Sequence, residues 1–318
     1  MGLPHPANRR QEALGFTLLG LSVLCNGAAY HLSKAAMVHC SAATFTALAA
    51  VVAGVGFLAL GGVWRAAGWN VGHLESITPR GLGRCLADCG GWLLLPPAAG
   101  ALGAWLANAT VKQYGPEIAA FLANQTFVFL LLAGVCTGER LTRREGVTIA
   151  VIILGAFLFS FRDRAPQWAA IGLMAVSCLF TATKQFAVKR LADRGGLPQV
   201  MTAVIFLLAG WALAIGVVSR SLAVPSARAA AFTVAASLTG SVAGMLLLYA
   251  GYQQVGVARG APVDALRPVV VLVLGLALGT AHPGALQYAG GALVVAASAV
   301  LGLRRQARAP GWRGSGPD

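Results

Sequence analysis

Ten apolar runs divide this chain almost end to end, each close to the length of a bilayer crossing. They lie at about 13–36, 42–64, 86–111, 116–137, 146–162, 167–190, 198–219, 229–254, 261–280 and 285–303. A helix needs roughly 20 apolar residues to cross the hydrocarbon core, and inside a bilayer only helices and closed barrels satisfy their own backbone. The one long hydrophilic gap is Arg65 to Arg84, too short for a separate soluble domain. The expected fold is therefore all-α: a polytopic membrane protein with ten transmembrane helices. Composition removes the competing classes. Only 11% of residues are charged and 57% are hydrophobic, whereas a soluble domain carries about 25% charged residues. A soluble enzyme, a disordered chain and a disulfide scaffold all fall away. Cys25, Cys40, Cys136 and Cys178 act as small apolar residues within or beside the runs. Cys85 and Cys89 lack the second pair that a zinc site needs, so no metal or other cofactor is expected. Arg9 and Arg10 precede the first run without a cleavage motif behind it, so it reads as an uncleaved span.

The net charge of +14 is scattered between the runs in small clusters, not gathered on one basic face. It reads as topology and not as nucleic-acid binding. With the N-terminus inside, sixteen Lys and Arg fall on the cytoplasmic side. Six fall outside: Lys34, Lys112, Arg162, Arg164, Arg220 and Arg228. Both termini are expected in the cytoplasm, the protein in the cell (inner) membrane, and 304–318 as a basic cytoplasmic tail.

The chain also overlays on itself. At an offset of 155, Ser22 falls on Ser177, Asn26 on Thr181 and Lys34 on Lys189. From the third run the offset becomes 141, placing Gly103 on Gly244, Asn108 on Tyr249, Gln113 on Gln254 and Gly134 on Gly275. The change of register falls in the 65–84 loop, which the second half lacks. Residues 1–164 and 165–303 are thus expected to be two repeats of five helices. Five is odd, so the second repeat is inverted relative to the first. The basic loop Arg140–Arg144 and its uncharged counterpart Ala281–Pro283 fit opposite sides of the membrane. Inverted repeats are the architecture of many secondary transporters, with the binding site near the midplane between halves.

Tyr114-Gly115-Pro116 ahead of the fourth run resembles the EamA-type domain of the drug/metabolite transporter superfamily. So do Gly138-Glu139-Arg140-Leu141 at its end and Gly146 opening the fifth. The resemblance covers essentially the whole chain. It implies ten helices, cytoplasmic termini and a central cavity lined by helices one to four and six to nine, with five and ten peripheral. Thr126 stands where the family usually has a proline, and Gly279-Thr280 where it has Gly-Glu.

Polar residues inside spans are costly and usually face a cavity or a partner helix. The candidate substrate-binding set is Asn26, Trp92, Asn108, Gln125, Thr181, Lys184, Tyr249, Tyr252, Asp264 and Arg267. Asp264 and Arg267 are spaced i, i+3 for pairing, and Lys184 is expected to converge with them or to snorkel toward the interface. Pro96 and Pro97 are expected to kink the third span, with Trp92 near the cavity wall. Glu117 and Asp88 open their runs as cap-region carboxylates, a proton site being the alternative for Glu117. No ATP-binding loop or hydrolase motif is present, so the chain is not expected to be an enzyme. The expected function is secondary transport, with export the expected direction, of an amino acid, organic acid or similar metabolite, with proton coupling as the energy source. The alternative is a non-transporting membrane protein that handles lipid or assists assembly.

Overall fold

The computed structural model describes residues 6–66, 87, 90–126, 128–129, 132, 143–162, 165–195, 197–255, 263–264 and 266–306. The helices are α1 Pro6–Met37, α2 Ala42–Ala66, α3 Leu95–Tyr114, α4 Pro116–Ala123 and α5 Arg143–Phe159. They continue as α6 Trp168–Gly195 and α7 Leu197–Val218. Helix α8 starts as Ala227–Ala236, winds as a π-helix over Ser237–Gly244 and ends as Met245–Val255. Then follow α9 Arg267–Ala277 and α10 Ala285–Gln306. Between α5 and α6, Phe161–Arg162 and Ala165–Pro166 pair as a minimal antiparallel hairpin.

Among the described residues, four helices are long and apolar enough to cross a membrane: Gln11–Met37, Ala42–Leu60, Trp168–Val188 and Ala227–Tyr252. Shorter apolar helices lie at Gly146–Phe159, Ala203–Val218, Arg267–Ala277 and Ala285–Val300. Their outer faces are apolar, with Leu24, Val55, Leu154, Val176, Leu213 and Val273 all exposed. Water would penalise so continuous an apolar exterior, whereas lipid accommodates it.

Several elements differ from the sequence reading. The third run was expected to be helical from about 86, with Pro96 and Pro97 kinking it. Instead a short 3-10 turn, Gly90–Leu94, leads into α3, whose first turn contains both prolines. There a missing N–H costs nothing, because first-turn donors have no helical partner, so the prolines start the helix and do not bend it. The irregular winding lies in the other half. The π segment Ser237–Gly244 is the 141-offset counterpart of residues 96–103. The fourth and ninth runs are each interrupted. Residues 67–84 and 133–142, Cys85, Asp88, Cys89, Glu139 and the tail beyond 306 lie outside the described residues.

The two halves interleave. Helix α1 runs along α8 and α3 along α6, while α2 packs on α7, α4 on α9 and α5 on α10. Exchanging helices one to five for six to ten leaves this set unchanged: α1–α8 becomes α6–α3, and the other three pairs map onto themselves. The secondary contacts follow the same rule. The contact α1–α9 becomes α6–α4, and α3–α7 becomes α8–α2, and all four are present.

The match extends to single atoms. Ser22 Oγ donates to the Gly244 carbonyl at 2.7 Å, and Ser177 Oγ donates to the Gly103 carbonyl at 2.7 Å. These are the residues that the two sequence offsets place on one another. Both serines are buried. Each glycine allows the close approach. A Cβ on Gly244 would lie 2.7 Å from Asn26 Nδ2, and one on Gly103 would lie 3.1 Å from Thr181 Oγ1 and from the Ser177 carbonyl. Interhelical hydrogen bonds in a membrane average about 0.6 kcal/mol. Ser22→Ala and Ser177→Ala are therefore expected to lower unfolding stability in detergent by similar, small amounts, about 0.5–1.7 kcal/mol. A loss confined to one serine would show that the two interfaces are not equivalent.

Candidate functional site

Helices α4 and α9 carry interruptions at equivalent places. Helix α4 ends at Ala123, and Asn124 and Gln125 form a turn before helical winding resumes. Gln125 N donates to Leu122 O, and Gln125 O accepts from Val128 N and Phe129 N. In the second half Leu266 N donates to Val263 O, and Leu266 O accepts from Val269 N and Val270 N. Every residue in one set is the other plus 141. A break of this kind frees backbone carbonyls and exposes a half-helix N-terminus, and such groups at membrane depth must face protein or a water-filled cavity. At the first break the Cys178 thiol of α6 lies 3.6 Å from the carbonyls of Leu122 and Ala123 and touches Thr126.

The second break carries the charges. Arg267 Nη2 donates to Asp264 Oδ1 across it, as the i, i+3 spacing anticipated. The side chains are mostly buried, 29% exposed for Arg267 and 16% for Asp264. Two further groups face this pair. Tyr30 of α1 lies within electrostatic reach of Arg267, Asp264 and Cys178, and Tyr252 of α8 acts on Arg267. Tyr30 thus stands between the thiol at one break and the ion pair at the other. Among the described residues Arg267 Nε has no hydrogen-bond partner, and neither does the buried Asn124 Nδ2 at the first break. The site therefore offers unspent donors, a carboxylate and two phenols within a largely apolar surround.

The expected residues divide between this site and other places. Arg267, Asp264 and Tyr252 come together, and Gln125 is buried at the first break. Asn26 donates to the Ser22 carbonyl at 2.9 Å and packs against Gly244. Thr181 packs against Gly103, the counterpart of that contact. Asn108 donates to Thr46 Oγ1 at 2.9 Å, tying α3 to α2. Lys184 does not join the charged pair. Its stem packs on Gly100 of α3, and among the described residues it forms no ion pair. The residues Ser177, Thr181 and Lys184 share one face of α6 at i, i+4, i+7, and that face is turned to α3. Trp92 belongs to the 3-10 turn and is 69% exposed, so it forms no wall of this site. Tyr249 lies within α8, but its side chain is outside the described set.

Sequence reasoning missed Tyr30 and Cys178. A tyrosine and a cysteine on apolar spans carry no signal of their own. One signal was present: Tyr30 lies four residues after Asn26 and one turn along the helix.

Three comparisons place the chain among known proteins. Residues 168–303 match the model of the EamA-like transporter family. No curated protein sequence matches. Among 17 matching solved chains is a crystal structure of a protein 19% identical to this chain. It has a TM-score of 0.60 and covers 92% of this chain and 98% of that one. At that identity the likeness concerns the fold alone, and it extends over both halves.

Proposed function

We propose that this chain, whose residues 168–303 form an EamA-like transporter domain, is a secondary transporter of a small organic solute bearing a carboxylate, such as an amino acid or an organic acid. The two halves act as inverted five-helix repeats in the inner membrane, with both termini cytoplasmic and export as the physiological direction. One observation carries the reading: the equivalent breaks in α4 and α9, with Tyr30, Asp264 and Arg267 between them. Discontinuous helices at a repeat interface are how many carriers present half-helix N-termini and polar groups to a solute at the midplane. The N-terminal turn of α9 starts at Arg267 itself, so its dipole and the guanidinium favour the same anionic group.

The packing is compatible with alternating access and supports that reading. Helices α1–α8 and α3–α6 are equivalent antiparallel pairs, so the two sides of the membrane are opened by the same kind of motion applied to opposite halves. Each pair carries one Ser-to-carbonyl hydrogen bond, too weak to lock the bundle in one state.

A metabolite screen tests the reading. Cells with and without the gene are loaded with labelled metabolites, and efflux and accumulation are followed. Faster efflux of one class of carboxylate-bearing solute is expected, by at least about tenfold over background, which corresponds to roughly 1.4 kcal/mol in barrier. Equal profiles across the metabolome would remove the carrier reading in favour of a non-transporting membrane protein.

A further inference from the structure

A second polar centre lies away from the ion pair, where α1, α4 and α9 meet at the end that the charge count puts outside. Glu117, in the first turn of α4, turns its carboxylate onto α9. Oε1 is the nearest neighbour to the face of Gly275, and Ala281 lies beside it. Any Cβ at position 275 would stand 2.3 Å from that oxygen. Oε1 is buried and, among the described residues, has no hydrogen-bond partner. The carboxylate does take a backbone hydrogen bond from Glu117 itself, as a cap-region residue would, but that leaves Oε1 without a partner among the described residues.

The nearby cations do not neutralise it. His31 and Lys34 of α1 are within electrostatic reach of the carboxylate. Yet Lys34 Nζ donates to the Lys112 carbonyl, and Lys112 Nζ donates to the Cys40 carbonyl at 2.7 Å. The His31 Nε2 lies 2.8 Å from the Val271 carbonyl, one turn before Gly275 on α9. A carbonyl only accepts, so Nε2 carries the hydrogen. Among the described residues no ion pair to Glu117 forms. Helix α9 brings only Gly275 and backbone, and α3 brings Lys112, which acts on Lys34 and not on Glu117. Among the described residues no titratable group of α5 or α6 acts on it.

A bare carboxylate oxygen pressed against glycine is costly in the charged form and tolerable as a neutral acid. A charged Glu117 has the Lys34 ammonium and the His31 ring one helix away to draw it off α9. We propose that Glu117 is a proton-binding site that couples outward opening to proton movement. With the proton on, the acid packs on Gly275 and holds α4 against α9. When the proton leaves to the outer aqueous phase, the carboxylate turns toward Lys34 and His31, and the α4–α9 contact loosens. One proton is bound and one released per cycle, and no other group changes covalently. The coupling to solute rests on the carrier reading above, whereas the proton site itself does not.

The test has two arms, both on the full chain reconstituted in phosphatidylcholine–phosphatidylglycerol vesicles. In the first, infrared difference spectra are recorded on lowering the pH, with the glutamate carboxyls 13C-labelled. The expected result is one shifted carboxylic-acid band from a buried site. It disappears in Glu117→Gln, and in Glu117→Asp it is replaced by an unshifted band. A labelled band that survives in Glu117→Gln, or none in the wild type, overturns the proposal. Glu117→Asp decides the matter if the glutamine variant does not insert. In the second arm, a radiolabelled L-amino acid mixture is the probe. Its accumulation under a gradient of about one pH unit is divided by its counterflow without a gradient. One coupled proton supports about tenfold accumulation per pH unit. That ratio is expected to fall about tenfold in Glu117→Gln, and an unchanged ratio overturns the coupling. Absence of wild-type counterflow would strike the amino-acid form of the carrier reading and with it the coupling tested here, and the infrared arm would still decide the proton site.

Discussion

Arg267→Met is expected to abolish transport and also to reduce the amount of folded protein, because it leaves Asp264 charged and alone. Breaking a buried pair from one side costs about 3–5 kcal/mol. A single uncompensated charge in a span costs about 2.5–3.5 kcal/mol even on the lenient insertion scale. Asp264→Asn is expected to do the same from the other side, leaving Arg267 unpaired. The double variant Asp264→Asn/Arg267→Met separates structure from function. It removes both charges together, so insertion and thermal stability should return close to the parent. On the proposed carrier reading transport should not return, because the guanidinium proposed to meet the solute is still missing. Recovery of both would make the pair structural and return the substrate site to the remaining polar residues. Lys184→Met serves as the comparison. Lys184 packs on Gly100 and has no ion-pair partner among the described residues, so this change is expected to leave stability within about 1 kcal/mol, as substitutions outside a charged network usually do.

Gly290→Leu is expected to prevent the bundle from forming. A Cβ at Gly290 would lie 2.5 Å from both the Gly155 carbonyl and the Phe159 nitrogen. At Gly155 it would lie 2.8 Å from the Gly290 carbonyl and 2.9 Å from the Val294 nitrogen. All four neighbours are backbone, and no rotamer change moves backbone aside. Overpacking against side chains costs about 1–3 kcal/mol, and here the helices themselves must separate. Helices α5 and α10 meet at this point, beside the stacked rings of Phe121 and Phe159, whose centroids are 3.7 Å apart. Loss of the monodisperse peak in size exclusion from detergent is the expected readout. The control is Gly20→Ala or Gly172→Ala, where a new Cβ meets nothing within 4 Å. In a helix that change is expected to stabilise by up to about 1 kcal/mol. If Gly290→Leu behaves like the control, α5 and α10 do not pack as described.

The matching contacts of the two halves were anticipated by a register in the sequence, which survives where residue identities drift. Ser22, Ser177, Gly103 and Gly244 align by number alone, and they then meet in two equivalent hydrogen bonds. The spacing of Asp264 and Arg267 likewise announced their pairing, since i, i+3 neighbours share a helix face. Apolar run length marked where the helices lie, because hydrophobicity is a property of residues taken one by one.

What depended on the tertiary structure is where each helix begins, breaks and faces. Asn124, Gln125, Asp264 and Arg267 stand out as polar residues within apolar runs, but run length continues past them, so neither helix break is visible in it. A break is a failure of hydrogen-bond closure, which is set by the helices packed around it. Pro96 and Pro97 have the same chemistry in mid-helix as in a first turn, and only the position of the α3 start decides between a kink and an ordinary N-terminus. Lys184, Asp264 and Arg267 lie on the two spans expected to bring them together, but the rotation of α6 turns Lys184 to α3 and leaves the ion pair to Tyr30 and Tyr252. Azimuth about a helix axis is fixed by ridges and grooves on its neighbours, and a sequence read one span at a time does not contain those neighbours.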